Sequence, residues 1–323
     1  MSFTLLSSPL QGFTDYIFRN AQNRHFGGID TFYAPYIRLN GKLEIKSSYH
    51  TDLLPENNDV PHLIPQIITN SAEEFIYVTK YVESLGYKEL NWNLGCPYPM
   101  VTKKGMGSGL IQSPEKIDEI LNEVHSKTNI KVSMKMRMGY FNSEEILDVF
   151  PVLEKYPLDH VAIHARIGKQ LYKGPVDLLS FEKCLQSTQL PIYYNGDIVC
   201  LDSFQDRQSK FKEVNHFMMG RGLITNPFLP KMIKDNQKDF PNDRFERFKL
   251  FHDELYEKYK EELPGQTPLR MKMLSFWTYF AKNFDDEKKV FKKIKKSKDA
   301  IGLKLAANEI LNKARHAENV IKA

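Results

Sequence analysis

The chain has 323 residues, 41% of them hydrophobic and 12% aromatic, which excludes a disordered segment and allows one large domain with a small companion. The formal charge is only +5, and the three cysteines, Cys96, Cys184 and Cys200, form no paired spacing, which argues against a disulfide framework or a cysteine metal site. No apolar run reaches the roughly 18 residues of a spanning helix, and the opening MSFTLLSSPL lacks the basic start and long apolar middle of a secretion signal; the expectation is a soluble cytoplasmic protein with no membrane, metal or obligate protein partner.

In chain order, short β-rich runs alternate with helical ones. The predicted strands are 3–9 (FTLLSSP), 30–37 (DTFYAPYI), 62–68 (HLIPQII), 89–95 (ELNWNLG), 131–137 (KVSMKMR), 160–166 (HVAIHAR), 191–196 (PIYYNG) and 216–221 (HFMMGR). Between them lie segments such as SAEEFIYVTKYVESLG, with apolar residues at helical spacing, Ser71 as N-cap and Gly86 at the end. SPEKIDEILNEVHSK opens in the same way, with Ser113 as cap and Pro114 at the first helical position. Eight strands alternating with helices is the count of a closed (β/α)8, or TIM, barrel. An open doubly wound sheet is the alternative, but no dinucleotide fingerprint follows the first strand.

The composition then shifts. DNQKDFPNDRF is a polar, proline-containing linker, and 243–262, 268–284, 286–297 and 299–316 read as helices. The expected domains are a barrel over 1–238 and an all-helical domain over 243–323. From Asp243 onward 19 basic residues stand against 13 acidic ones, a net of +6, so the remainder carries −1. A near-neutral body with a basic tail suggests a polyanionic partner, although solubilising surface lysines would look similar.

A (β/α)8 barrel works at the carboxyl ends of its strands. There the sequence places Gln66, Asn93, Cys96, Lys135, Arg137, His164, Arg166, Asn195, Gly196, Asp197, Gly220 and Arg221. Any one of them alone could be a satisfied core residue; a whole rim of polar groups is harder to explain without a ligand. The last two strands end in NGD and MGRG, whose glycines let backbone N–H groups approach an anion, so a phosphorylated ligand is expected. The GMGSG run at 105–109 follows a Cys-Pro corner and is expected to be a flexible catalytic loop.

Taken in order, NLGCP, MKMR, HAR with QLY after it, NGDI and MGRGLITNP resemble the tRNA-dihydrouridine synthase family, and SSPLQGFTDYIFR is similar to that family's opening flavin segment. The resemblance spans the whole chain. It implies an FMN barrel followed by a helical RNA-binding domain, which reduces uridine in tRNA to 5,6-dihydrouridine with NADPH or NADH. Carried over by motif, Pro9, Leu10, Gln11, Gln66, Lys135 and His164 would contact the flavin, with Asn195, Gly196, Asp197, Gly220 and Arg221 at its phosphate. Asn93, Arg137, Arg166 and Gln170 would face the uracil and its backbone, and Arg38 and Arg270 would touch RNA. This chain departs from the family pattern at Ser8, Leu10, Gln11, Thr69, Asn91 and Ile167.

The reaction needs a hydride at C6 and a proton at C5, and a thiol, mostly protonated at neutral pH, can deliver the proton. Cys96, fixed between Gly95 and Pro97, is the candidate donor, while Cys184 and Cys200 are expected to be inert. A uracil must leave its stack to reach a barrel mouth. Lys292, Lys295 and Lys296 in DDEKKVFKKIKKSK are expected to help hold the RNA backbone. A flavin barrel acting on a small pyrimidine or enone is the alternative within this cofactor class. A sugar-phosphate barrel and an RNA-binding protein without activity are the alternatives outside it.

Overall fold

The computed structural model describes residues 2–321; Met1, Lys322 and Ala323, the outermost residues of the two expected domains, lie outside it. The elements in order are β1 (Thr4–Ser7), α1 (Tyr16–His25), β2 (Thr31–Tyr33), α2 (Ser47–Leu53), β3 (Leu63–Ile64), β4 (Gln66–Ile67), α3 (Ala72–Ser84), β5 (Glu89–Leu94), α4 (Pro99–Thr102) and α5 (Pro114–Lys127). There follow β6 (Lys131–Gly139), α6 (Glu145–Leu153), β7 (Val161–Ile167), α7 (Leu178–Gln186), β8 (Ile192–Asn195), α8 (Leu201–Lys210), β9 (His216–Met219), α9 (Arg221–Thr225) and α10 (Leu229–Lys234). The last helices are α11 (Arg244–Glu262), α12 (Gln266–Phe280), α13 (Glu287–Lys295) and α14 (Ala300–Ile321).

All strand pairs are parallel, in the order β3-β2-β1-β9-β8-β7-β6-β5-β4. The two ends of that order are halves of one strand. Phe32 and Tyr33 pair with Leu63 and Ile64, whereas Gln66 and Ile67 pair with Asn91 and Trp92. Pro65 between them has no N–H for a ladder, yet its carbonyl accepts from Asn91 N at 2.9 Å. The sheet therefore closes on itself as an eight-stranded TIM barrel. Strands buried on both faces read as near-continuous apolar runs, and in β6 every residue after Lys131 is buried.

The helices form where capping and spacing direct them. Ser71 Oγ accepts from Glu74 N at 3.3 Å at the start of α3, whose first turn carries Glu73 and Glu74 and whose buried face is Phe75, Ile76, Val78, Thr79 and Val82. Ser113 does not cap α5 through its side chain; Pro114 opens the helix and the Ser113 carbonyl takes the Lys116 and Ile117 amides.

The chain divides into two compact units. One comprises residues through Tyr16, 30–198 and 205–220, and holds the whole barrel. The other comprises 17–29, 199–204 and everything from Arg221, so it takes in more than the tail that composition marks off after 238. The reason is aromatic packing. Phe18 lies parallel to Phe276 at 5.7 Å and edge-on to Phe251 at 6.0 Å, and Phe26 meets Phe228 at 4.4 Å. These rings, with Phe280 and Trp277, are all buried. No helix among the described residues is long and apolar enough to cross a membrane.

Candidate active site

The N-terminal end of the barrel is plugged. His160, Tyr193 and His216 stack in series at 4.1 and 4.0 Å, Tyr33 Oη meets His160 Nε2 at 2.7 Å, and Thr4 Oγ1 meets His216 Nδ1 at 2.6 Å. Beside the plug, His160 Nδ1 lies 2.9 Å from Asp159 and 3.9 Å from the buried Glu89 Oε1. Above it Leu6, Ile64, Ala162 and Met218 form an apolar layer. The end at which such barrels work is the opposite one, at the carboxyl ends of the strands.

At that mouth a relay of neutral side chains crosses three strands. Asn91 Nδ2 donates to Ser133 Oγ at 2.9 Å, Gln66 Nε2 to Asn91 Oδ1 at 2.7 Å, and Asn93 Nδ2 to Gln66 Oε1 at 2.7 Å. Asn93 Oδ1 then accepts from Gly95 N at 3.0 Å and Cys96 N at 2.9 Å. Asn93, expected to face the uracil, is thus committed at both ends of its amide to building the cysteine corner.

Three more contacts brace that corner. Arg137 Nε donates to the Gly95 carbonyl at 3.1 Å. The Cys96 carbonyl accepts from Ser108 N at 3.0 Å and Ser108 Oγ at 3.1 Å. Gly107, at φ +57°, lies so close that a Cβ there would sit 2.5 Å from the same oxygen. The glycine run expected to be a flexible loop is therefore an ordered 3₁₀ turn, 107–112, with Gly107, Ser108, Leu110 and Ile111 buried. Two backbone-directed hydrogen bonds and a packed glycine explain its order.

Cys96 is 8% exposed and packs among Ile68, Val101, Met106 and Tyr36. Burial pushes its pKa up, opposed by the hydrogen bonds from the Tyr98 backbone and Tyr36 and by the charges of Arg137 and Arg38. It is protonated at neutral pH. Tyr36 Oη lies 4.0 Å from the sulfur, and burial raises the phenol well above its usual range. Cys184 is buried in α7 with its thiol pushed up to about 12, and Cys200 is exposed.

Lys135 is the basic group of the floor. Its Nζ donates to Asn195 Oδ1 at 2.9 Å, and Asn195 Nδ2 donates to the Met218 carbonyl at 2.8 Å. Burial, helped by Arg137, brings the lysine pKa down to about 7. Arg137, also buried, gives Nη1 to the carbonyls of Ile167 at 2.8 Å and Leu171 at 2.7 Å and sits over the Tyr172 ring. Arg166 Nη1 reaches His164 Nε2 at 3.1 Å and Asp197 Oδ1 at 2.9 Å, while Nη2 engages Asp197 Oδ2 and the Gly174 carbonyl. Gln170 Nε2 donates to the Pro175 carbonyl at 2.9 Å.

Pro9, Leu10 and Gln11 follow β1 in a turn in which Leu10 N donates to Thr14 Oγ1 at 2.8 Å. Gly196 is left-handed at φ +147°, and a Cβ there would meet Val176 at 2.9 Å; one on Gly220 would meet Ser8 at 3.5 Å. Arg38 Nη2 contacts the Met100 carbonyl at 3.4 Å, while its buried Nε has no hydrogen-bond partner. In the second unit Arg221 opens α9, and Arg270 donates to the carbonyls of Ser297 at 2.7 Å and Lys295 at 3.0 Å, closing the end of α13. Lys292, Lys295 and Lys296 are exposed, and Ile294 on the same helix is buried. Sequence reasoning does not find Tyr36 or Ser108, whose only signal is contact across 60 and 12 residues.

The buried Lys135 and the Cys96 thiol on its braced corner thus belong to the polar end of a TIM barrel. Its fold is similar to that of histamine dehydrogenase from Rhizobium sp. 4-9, with TM-score 0.55 and 9% identity over 72% of this chain; the chain spans 46% of that one. It is also similar to a variant of NCR from Zymomonas mobilis, with TM-score 0.51 and 11% identity over 74% of this chain and 88% of that one. The chain belongs to the dihydrouridine synthase (Dus) family, whose model matches residues 5–315, and is accordingly an oxidoreductase. It is 28% identical over 241 residues to tRNA-dihydrouridine(16) synthase of Aquipseudomonas alcaligenes, covering 70% of this chain and 73% of that one. It is 22% identical to the enzyme of that name in Neisseria meningitidis, over 98% of this chain and 96% of that one.

Proposed function

We propose that the protein reduces the C5–C6 bond of a tRNA D-loop uridine, using FMN and NADPH or NADH. The observation that carries the reading is the Cys96 thiol, kept protonated by burial and held in place by Asn93, Arg137 and Ser108. The residues present fit a flavin. Lys135 is a buried amine whose charged form burial disfavours, with a neutral amide as its hydrogen-bond partner and no carboxylate paired with it among the described residues. Negative charge on a reduced ring would complete that site.

FMN, when bound, supplies the hydride for C6. Gln66, Lys135 and His164 would hold the ring, with Pro9, Leu10 and Gln11 along its edge. Asn195, Gly196, Asp197 and Gly220 would take the phosphate end through backbone donors, the Asn195 side chain holding Lys135 and the Asp197 carboxylate serving to anchor Arg166. Cys96 gives its proton to C5. Asn93, Arg137 and Arg166 act by fixing the walls, leaving Arg38 and Gln170 nearer the RNA backbone.

The helical part from residue 243 would bind tRNA through Lys292, Lys295 and Lys296. The relatives' names make position 16 the first uridine to map. In the test, purified protein with FMN and NADPH is given an unmodified tRNA transcript and dihydrouridine is measured. Cys96→Ala should keep FMN and tRNA binding and lose roughly 10²–10⁴-fold in turnover. Undiminished turnover removes Cys96 from the chemistry, and reduction of free uridine without RNA points to a small-pyrimidine reductase instead.

A further inference from the structure

A phenylalanine stands in solvent on a turn built to hold it there. Phe141 is 53% exposed, just past the carboxyl end of β6. The Glu145 carboxylate accepts from the backbone N–H of Tyr140 at 2.6 Å, Phe141 at 3.1 Å and Asn142 at 3.2 Å. Gly139 is required beneath it, since a Cβ there would fall 1.8 Å from the Asn142 carbonyl oxygen. The following loop is laced to this turn by Gly168 N to Gly139 O at 2.8 Å and Lys169 N to Tyr140 O at 2.9 Å. That lacing brings Lys169 Nζ to 5.1 Å from the Phe141 ring centre and 5.3 Å from that of Tyr140, and the two rings meet edge to face at 4.8 Å.

The turn is also tied to the cysteine corner. A Cβ on Gly168 would touch both the Tyr140 ring and Ser108 Oγ, and Ser108 holds the Cys96 carbonyl. Thr102 Oγ1, in the helix after the corner, donates to Tyr140 Oη at 3.3 Å. Lys103, Lys104, Lys169 and Lys173 are exposed on these same loops, whereas Glu145 is turned inward onto backbone amides and Glu144 pairs with Lys183.

We propose that Phe141, with Lys169 beside it, is a stacking platform for an unpaired base adjoining the uridine that enters the barrel. It rests on the tRNA reading above. An exposed ring alone fits any apolar partner, but interleaved lysines with their neighbouring carboxylates already engaged complement a polyanion. Base–aromatic stacking tolerates any base and needs a firmly held ring.

The test uses full-length protein and an unmodified tRNA transcript. Phe141→Ala should weaken Kd by roughly five- to hundredfold, while Phe141→Trp binds as well as the parent and Phe141→Leu stays weak. Because Trp92 and Trp277 are both buried, emission from the new indole should be quenched by saturating transcript and not by heparin. Parent-like binding by Phe141→Ala, by Phe141→Leu, or an unquenched indole overturns the platform. A parent protein that binds no tRNA overturns the function on which it stands.

Discussion

Gly107→Ala tests whether the cysteine corner is a machined support or a passive turn. At φ +57° the backbone is left-handed, which costs an alanine about 1–2 kcal/mol relative to glycine's freedom. The added Cβ would lie 2.5 Å from the Cys96 carbonyl oxygen and 3.0 Å from Cys96 Cβ. That is about 0.8 Å inside the shortest ordinary carbon–oxygen contacts of about 3.3 Å. Neither atom is the far end of a flexible side chain, so the corner itself must give, at a further cost of about 1–3 kcal/mol. The destabilisation expected is about 2–5 kcal/mol, read as a lowered midpoint in thermal or urea unfolding. A shift of the sulfur approaching 1 Å should cost turnover on the order of 10²-fold. Single-turnover reduction of a transcript, with FMN content checked by absorbance, separates this from cofactor loss. Parent-like stability together with parent-like turnover would refute the argument that this glycine fixes the Cys96 thiol.

Lys135 has a pKa near 7 when folded and about 10.4 when unfolded. Between those values the unfolded chain binds one proton more, so without flavin stability should rise with pH across that window, by at most about 1.4 kcal/mol per unit, and flatten below 7; Lys135→Met should lack the rise in urea titrations from pH 7 to 10. Negative charge on a reduced flavin should draw the lysine back toward its charged form, so binding of reduced FMN should take up a proton in the same window, measurable by anaerobic calorimetry in buffers of different ionisation enthalpy. Tyr36→Phe removes a hydrogen bond that holds the Cys96 thiol pKa down, so the thiolate, followed by ultraviolet absorbance, should appear at higher pH than in the parent; an unmoved titration means the 4.0 Å contact carries no hydrogen bond. Reversing Lys292, Lys295 and Lys296 should weaken tRNA binding and flatten its dependence on salt, with Lys293 left in place because it pairs with Glu309; an unchanged slope moves the RNA surface elsewhere.

The barrel was legible because each strand carries its own local signal. β-Branched and aromatic runs of four to eight residues, bounded by Gly, Pro or Asn, are the pattern of buried parallel strands, and even HLIPQII could be read as one strand across its proline. The Ser71 cap was equally local. Contacts between distant segments were not. Nothing near His160 announces that Tyr33, Tyr193 and His216 will join it in a plug, and nothing near Phe18 announces a place among the helices that follow residue 243. The glycine run at 105–109 misled for a related reason. Glycine signals either freedom or close approach, and only the position of the Cys96 carbonyl decides that here it means close approach.

The same distinction reorganises the polar rim. By residue type, Asn93, Arg137 and Arg166 are as suited to gripping a base as Lys135 is to meeting a flavin. In the folded chain Asn93 ties Gln66 to the Gly95–Cys96 amides, Arg137 ties Gly95 to Ile167 and Leu171, and Arg166 is matched by Asp197. A buried donor already satisfied by a carbonyl or carboxylate gains little by exchanging it for a ligand. Lys135 is different in degree, because Arg137 has three carbonyls and the Tyr172 ring, whereas Lys135 has a single amide oxygen for its ammonium hydrogens. The mouth therefore favours an acceptor or negative charge beside Lys135, within walls that hold a protonated thiol at a fixed place. That asymmetry favours an electron-rich ring on the floor and proton delivery from the corner, and it makes the charge of Lys135, rather than the number of polar residues, the feature on which flavin affinity should depend.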